Sequence, residues 1–472
     1  MPRATPEKLP LVLDRQSRVG LVDQVAGGLA HLIDNGNLRV GERMPSVRKL
    51  ANDLAVGAST IVESYERLVV RRLLVARRGS GFFVTKRDPV DSTVRAGMPP
   101  APTIDAAWLL SEVFADQRVP IKAGCGWLPH RMLDGDGVRL AERRLLRAPG
   151  QQQVGYGHPY GYAPLRQTIA DGMERWSLEI SPDQVVTTHG STQALDIITR
   201  TIVKPGETVL VEDPGYCNLI AMLKLAHVKV VGVPRTATGV DVDALDALAR
   251  MHHPKAFFTN PILQNPTATS YTPACAMRVL QVADRHGFWV VEDDLYRELA
   301  LPTDPMLAAL DGLRRVIYVS GFSKTIAPSL RIGYIVCEAA LARRFVHTKM
   351  ITALTSSEIT ERLVHITLTE GRHRKHVERL AASLLAAQAG VNARLEKVGL
   401  TPFAAPRGGM FTWASLDRTD LDTRVIADMA LAKGIWLAPG EFFFLSKPDR
   451  HWFRFNVAYS DVPEISAFFA GL

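Results

Sequence analysis

Cysteine is scarce in this chain: there are four in 472 residues, Cys125, Cys217, Cys275 and Cys337, far apart and with no CxxC pair. Such spacing excludes a disulfide frame and a zinc site, and it suits free thiols in a reducing cytoplasm. Long hydrophobic runs are missing as well. No stretch approaches the roughly 20 apolar residues of a membrane span, and no apolar signal core follows the first charges. The sequence has no internal repeat and no low-complexity tract, which sets aside solenoids and fibrous classes. Over most of its length it also lacks an excess of charge of either sign. Residues 1–87 hold 15 Lys/Arg against 8 Asp/Glu, while the remainder holds 41 against 40, so the net +8 belongs almost wholly to the first fifth. A basic segment of this kind is either a solvated face or a surface for a polyanion such as DNA.

What is present begins with helical spacing in that basic segment. SRVGLVDQVAGGLAHLIDNG (17–36) has a helical apolar face and ends at Asn35-Gly36, a C-cap pair. PSVRKLANDLAV (45–56) opens with Pro45 and Ser46 and puts Leu50 and Leu54 on one face. After a Gly57-Ala58 turn, STIVESYERLVVRRL (59–73) begins with two hydroxyl residues and is apolar at Ile61, Tyr65 and Leu68. LLVARRGSGFFV (73–84) reads as two short strands about a Gly-Ser-Gly tip. Three helices and a β-hairpin predict a winged helix-turn-helix over residues 1–87, with its third helix entering the major groove.

This stretch resembles the GntR family of bacterial DNA-binding domains through GERMPSVRKLA (41–51), the hydroxyl-led third helix and GSGFFV. The resemblance implies that Arg43, Ser46 and Arg48 contact phosphate or base edges of a double-stranded operator. It further implies that Ser59 and Thr60 meet the backbone and that the Gly79–Gly81 tip approaches the minor groove. Where relatives often carry Ser-Arg, this chain has Gly57-Ala58, so one guanidinium able to read a guanine is absent.

Residues 88–107 are polar, Pro-containing and aperiodic, which predicts a linker. Beyond it, QVVTT, TVLVED, VKVVGV, AFFTN, WVVED, VIYVS and GYIVC alternate with helical segments such as 191–203 and 274–287. That order predicts an α/β domain over 108–472 with a mainly parallel seven-stranded sheet covered on both faces. A large lobe over about 151–374 and a smaller α/β lobe from 108–150 and 375–472 are expected, with helix 376–397 leading into the smaller one.

Polar residues at the strand ends assemble one site. Lys324, in SGFSKTIAPSLRIGY (320–334), follows the strand VIYV at a place where open α/β sheets bind cofactors. Arg331 is a fixed cation suited to a phosphate. An amine for a Schiff base plus a phosphate clamp is what pyridoxal 5′-phosphate (PLP) requires. HGSTQALD (189–196) is a Gly-hydroxyl turn opening a helix, a phosphate site. Asp293 ends WVVED and can hold a pyridine nitrogen protonated. Asn265 and Tyr296 can donate to a phenolic oxygen, and Tyr216, after a Pro-Gly turn, can stack on a ring.

These residues resemble those of the fold-type I, class I aminotransferases over about 365 residues. The resemblance implies Lys324 as the cofactor-bonding amine, Asp293 on the pyridine nitrogen and Asn265 with Tyr296 on the phenolate. By the same likeness Tyr216 stacks, while Ser191, Thr192, Ser323 and Arg331 hold the phosphate. Tyr156 then reaches the phosphate of a neighbouring subunit, implying a homodimer. Arg454 pairs with a substrate carboxylate, and Gly126 lies beside the substrate. Three positions depart from the pattern: Ala268 ends the usual Asn-Pro-Thr-Gly, Gly321 lacks a phosphate-binding hydroxyl, and Asn218 stands where some relatives have arginine. A GntR-type head joined to such a domain resembles the MocR family of bacterial transcription regulators. That resemblance implies a regulator in which an amine, an amino acid or PLP controls DNA binding; the other reading is a working aminotransferase.

Overall fold

The computed structural model describes residues 9–11, 13–15, 17, 19–35, 37–71, 73–77, 80–85, 119–147, 154–417, 421–448 and 450–472. The chain divides into two compact units, residues 1–102 and 103–472. The expected linker at 88–107 and Gly79 of the wing tip lie outside the described residues.

In the first unit, Leu21–Asp34 (α1), Val47–Leu54 (α2) and Ala58–Val70 (α3) precede a hairpin of Leu74–Arg77 (β1) and Gly81–Val84 (β2). The antiparallel register runs from Leu74 opposite Val84 to Arg77 opposite Gly81. Val25, Leu29, Leu50, Ile61, Tyr65 and Leu68 close one small core. Ile61, Tyr65 and Leu68 fall four and three residues apart, which is why one stripe of α3 is buried. Ser46 caps α2 by accepting from the Lys49 amide at 3.3 Å. The Tyr65 hydroxyl donates to the Pro45 carbonyl at 2.8 Å and so pins α3 to the entry of α2. The third helix starts at Ala58, with Gly57 as its N-cap and no side-chain cap bond. Ser59 and Thr60 thus lie inside its first turn.

In the second unit all seven anticipated strands are present: Val185–Thr188 (β3), Thr208–Asp213 (β4), Lys229–Thr236 (β5), Ala256–Thr259 (β7), Trp289–Asp293 (β8), Val316–Gly321 (β9) and Gly333–Val336 (β10). The sheet has eight strands, not seven, because a two-residue strand, Gly239–Val240 (β6), folds back on the end of β5. Two residues are too few to carry a periodic signal. The order is β3-β10-β9-β8-β7-β4-β5-β6, with β5, β4, β7, β8 and β9 mutually parallel and β10 reversed between β3 and β9. Alternate residues enter opposite cores. Leu210, Phe257 and Val290 pack on one face, and Val211, Phe258 and Val291 on the other. Covering helices include Ser191–Ile202 (α4) and Pro273–His286 (α5).

The smaller lobe holds a four-stranded antiparallel sheet of Leu400–Pro402 (β11), Phe411–Leu416 (β12), Ala438–Pro439 (β13) and His451–Asn456 (β14), backed by the long helix His373–Lys397 (α6). The expected division of 108–150 needs correction. Ala123 and Leu128 join the small-lobe core, whereas helix Gly135–Leu145 packs through Ala141 into the large-lobe core.

His373, in the first turn of α6, ties the two site-bearing loops together. Its Nε2 lies 3.0 Å from Glu298 Oε2, and its Nδ1 is 3.8 Å from Asp134 Oδ2. The Asp134 amide in turn donates to the Ile326 carbonyl, two residues past Lys324. Burial opposes charge on His373, yet the two carboxylates outweigh it and hold the ring up at about 9. Burial likewise opposes ionisation of Glu298, and His373 with Arg175 overcomes it and brings Glu298 down to about 2. The His373 contribution is therefore complete below its unfolded value of 6.5 and lost as pH rises through about 9. The Glu298 contribution is complete above 4.5 and lost as pH falls through about 2. His373→Gln should lower the melting temperature most between pH 4.5 and 6.5, with the gap shrinking toward pH 9. A gap of unchanged size from pH 6.5 to above 9 would show that the charge on His373 contributes nothing.

Candidate functional site

Lys324 extends from the loop after β9, and its Nζ donates to the Gly126 carbonyl at 2.6 Å. Burial pulls this amine down from 10.5 to about 8; Arg454 and Arg331 push the same way, while Cys125 and Asp293 resist. Asp293 ends β8 in the buried interior, and burial, with Asp294 and Glu212 nearby, lifts it to about 7. Its Oδ1 has no hydrogen-bond partner among the described residues. A buried carboxylate oxygen left without a donor is costly unless a ligand supplies one.

Asn265 stands in the loop after β7, and Arg454 on β14. Arg454 is 2% exposed, so its charge must be matched in place. Its Nη1 donates to Asn265 Oδ1 at 2.8 Å and its Nη2 to the Gly124 carbonyl at 2.7 Å. The guanidinium lies between the rings of Phe411 and Phe443, 4.5 and 4.7 Å from their centroids. Its Nε has no partner among the described residues, and a Cβ on Gly126 would sit 3.7 Å from Nη2. Arg454 is thus fixed with donor capacity to spare, as a carboxylate clamp must be. Tyr216 and Tyr296 share this pocket and burial raises both phenols, Tyr216 to about 12. The Tyr216 oxygen accepts from Asn218 Nδ2 at 3.3 Å.

A cradle forms where β10 meets the start of α4. Gly190 has φ +82, a Cβ on it would lie 2.6 Å from Arg331 Nη2, and Arg331 Nη2 donates to the His189 carbonyl at 3.4 Å. Gly333 permits the approach, since a Cβ there would fall 2.5 Å from the Gly190 carbon and the Ser191 nitrogen. Ser191 and Thr192 open α4 with no side-chain cap bond, leaving first-turn amides to face an anion. Ser323 is half-buried in the Lys324 loop. At Gly321 a Cβ would come within 3.0 Å of the Ile332 carbonyl, a steric reason for the missing hydroxyl. Ala268 takes φ +57, the left-handed conformation that a glycine adopts freely.

The geometry therefore joins Lys324, Gly126, Arg454, Asn265 and Asp293 in one pocket with Tyr216 and Tyr296, beside the Ser191, Thr192 and Arg331 cradle. Tyr156 stands apart, 89% exposed. In the first unit, Arg43, Arg48 and Ser59 are exposed and Thr60 is half-buried. Gly81 has φ +96, with Arg43 Nε 3.6 Å from where its Cβ would be. The Ser46 hydroxyl is engaged as the α2 cap.

The sequence gives no direct signal for what holds these groups in place. Glu212, at the end of β4, lies in a buried ion pair with Arg235, Nη1 to Oε1 at 2.5 Å. The Glu212 carboxylate also accepts from Thr259 at 2.7 Å, Tyr271 at 3.1 Å, Gln264 at 3.1 Å and the Asn260 amide at 3.2 Å. Gly124 and the two phenylalanines around Arg454 were not foreseen either.

Residues 135–470 match the family of class I and II aminotransferases, and residues 21–84 match the gntR family of bacterial regulatory proteins. The chain belongs to the class I and II aminotransferase family. Its gntR-type head gives it the make-up of the MocR-type regulators, and a helix-turn-helix of this type is a DNA-binding module. It is 31% identical over 332 residues to an aromatic-amino-acid aminotransferase of Thermococcus litoralis, covering 68% of this chain and 79% of that one. It is 28% identical to the probable rhizopine catabolism regulatory protein MocR of Rhizobium meliloti, over 88% of this chain and 83% of that one. Its fold is similar to that of Pyrococcus horikoshii kynurenine aminotransferase, solved with PMP: TM-score 0.72, 26% identity, 80% of this chain and 96% of that one. PLP is the cofactor of this aminotransferase fold. The unpartnered Asp293 Oδ1, the glycine-lined cradle and the depressed Lys324 amine fit it. Among the described residues no helix is long and apolar enough to cross a membrane, and no cluster of side chains could hold a metal ion.

Proposed function

We propose that this MocR-type regulator senses an amine, an amino acid or PLP in its aminotransferase-like domain and so controls operator binding by its gntR head. The observation that carries the reading is the buried Asp293 carboxylate, whose Oδ1 is unpartnered, in one pocket with Lys324 and with Arg454, whose Nε is free. When bound, PLP supplies an aldehyde for amines and a ring that accepts electron density. Lys324, near 8, is partly neutral at physiological pH, so its Nζ would be the amine that holds the cofactor, by condensation with loss of water, and when free it could carry a proton. Asp293 would hold a proton at the ring nitrogen, Asn265 and Tyr296 would donate at the phenolic oxygen, and Tyr216 would stack. Ser191, Thr192, Ser323 and Arg331 bind the phosphate. Arg454 orients an effector carboxylate, with Gly126 leaving room beside it.

Tyr156 serves the phosphate of a second copy in this reading. Exposed Val154, Ile351 and Leu354 support a homodimer, because the segments that carry them touch where a Cβ on Gly157 would lie 2.9 Å from the Ser356 carbonyl. In the head, Arg43, Arg48, Ser59, Thr60 and Gly81 face the operator, with Ser46 capping the helix that carries Arg48.

The alternative is a competent class I aminotransferase, favoured by the complete set of reacting groups around Lys324. Titrating the PLP-loaded protein with a panel of amino acids, while following absorbance and operator binding, separates the two. The regulator reading expects an amino acid to change both signals, with Arg454→Ala abolishing the response. Arg48→Ala should weaken operator binding by about 1–3 kcal/mol if it reads a base. Turnover on the order of 10 per second with DNA affinity unmoved would establish the enzyme instead.

A further inference from the structure

Asn260 follows β7 directly, is 7% exposed, and has every polar group engaged. Its backbone amide donates to Glu212 Oε2 at 3.2 Å, and its carbonyl accepts from Arg235 Nη1 at 3.4 Å. Its side-chain Oδ1 accepts from the Asn265 backbone amide at 2.9 Å. Its Nδ2 donates to the Asp293 backbone carbonyl at 2.5 Å, with the Ile262 carbonyl at the longer distance of 3.5 Å. The orientation of the amide is fixed by its neighbours, because Asp293 offers only an acceptor there and Asn265 only a donor. One planar group therefore joins the segment bearing the ring-nitrogen carboxylate to the segment bearing the phenolate donor. Few side chains can do this. Aspartate loses the donor, leucine loses both bonds, and serine or threonine is too short to span the gap.

The series continues, since Asn265 Oδ1 accepts from Arg454 Nη1 at 2.8 Å. Asp293, Asn260, Asn265 and Arg454 thus form one hydrogen-bonded line across the pocket, anchored from below by the buried Glu212–Arg235 pair. Asp293 would serve the nitrogen and Asn265 the phenolic oxygen of one conjugated pyridine ring, so the proton held at one contact and the charge held at the other would depend on each other. An error in their separation of a few tenths of an ångström weakens both contacts, because hydrogen bonds to charged groups are steep in distance and angle.

We propose that Asn260 is a positioning residue whose side-chain amide fixes the Asp293 and Asn265 contacts to the cofactor relative to each other. The proposal rests on the cofactor reading given above. Asn260 touches neither cofactor nor effector and acts through the two residues it joins.

Cofactor affinity, the pH midpoint of the visible absorbance of the lysine-bound cofactor, and the melting temperature of cofactor-free protein test this in three variants. Asn260→Ala should weaken PLP binding about tenfold, the effect of one hydrogen bond lost on each side, and should shift the pH midpoint. Thr269→Val is the control. Thr269 is buried in the same network and accepts from Arg235 Nε at 3.0 Å, but it bonds neither Asp293 nor Asn265. It should lower the melting temperature and leave the midpoint in place. Should Asn260→Ala fail to fold, Asn260→Asp carries the test: it keeps the acceptor for Asn265, loses the donor to Asp293, and should still move the midpoint. A chromophore in wild type with unmoved midpoints in both Asn260 variants overturns the inference alone. No chromophore in wild type after adding PLP overturns the cofactor reading and this inference with it.

Discussion

Replacing Lys324 with alanine should leave no cofactor attached to the chain after borohydride reduction, whereas wild type should retain it on this one lysine. The expectation follows from the environment of Nζ. It is half-buried, held by the Gly126 carbonyl at 2.6 Å and brought down to about 8, which suits it to be the reactive amine of the pocket. Lys349 is also brought down to about 8, but its amine donates to the Pro159 carbonyl beside Glu361, away from these groups. Non-covalent PLP should still bind Lys324→Ala through the Ser191–Arg331 cradle and Asp293, so the variant should stay folded and able to bind the cofactor. Any amine reaction that needs a proton carried by this group should slow by about 10²–10⁴-fold. Peptide mapping of the reduced protein checks the assignment, and a label on Lys349 would defeat it.

Glu212→Ala should be the most damaging single change outside the pocket, costing about 3–5 kcal/mol. The substitution leaves the Arg235 guanidinium, whose side chain is fully buried, without its counter-charge. It also removes an acceptor shared by Thr259, Tyr271, Gln264 and the Asn260 amide. Because Gln264 and Asn260 hold the loop that carries Asn265, PLP affinity should fall together with stability. A double variant, Glu212→Gln with Arg235→Met, removes both charges and should recover much of the loss. Denaturant midpoints of the three proteins decide the matter, and a double variant no better than Glu212→Ala would mean that the ion pair is not the source of the effect.

Lys324 and Glu212 differ in how far the amino-acid sequence alone announces them. Lys324, Asp293, Tyr216 and Asn265 stand out as candidates because each closes or follows an apolar strand, and strand ends in such sheets are where ligands bind. The seven long strands were legible for the same reason that they are buried on both faces. The winged head could be read from three apolar stripes and a Gly-Ser-Gly tip. Helix α3 starts at Ala58, one residue before the expected 59, because Gly57 serves as its N-cap. The small-lobe sheet was hidden, since β11 and β13 have three and two residues. The helix Gly135–Leu145 was assigned to the wrong core, because its pattern of apolar residues does not say which partner they meet. Glu212, Arg235 and Asn260 were invisible for a deeper reason. Each is an ordinary residue until the fold brings it to partners far away in the chain, and neither spacing nor composition encodes that meeting.

The core of the head is its own: its buried apolar residues run from Leu9 to Val84. A segment whose interior is complete can change hands in a lineage as a single piece. Recombination near its end could give the same aminotransferase-like domain a new address on the genome while every contact around Lys324 stays as it was. Address and chemistry can then diverge at separate tempos, so kinship in the pocket need not foretell which genes are governed.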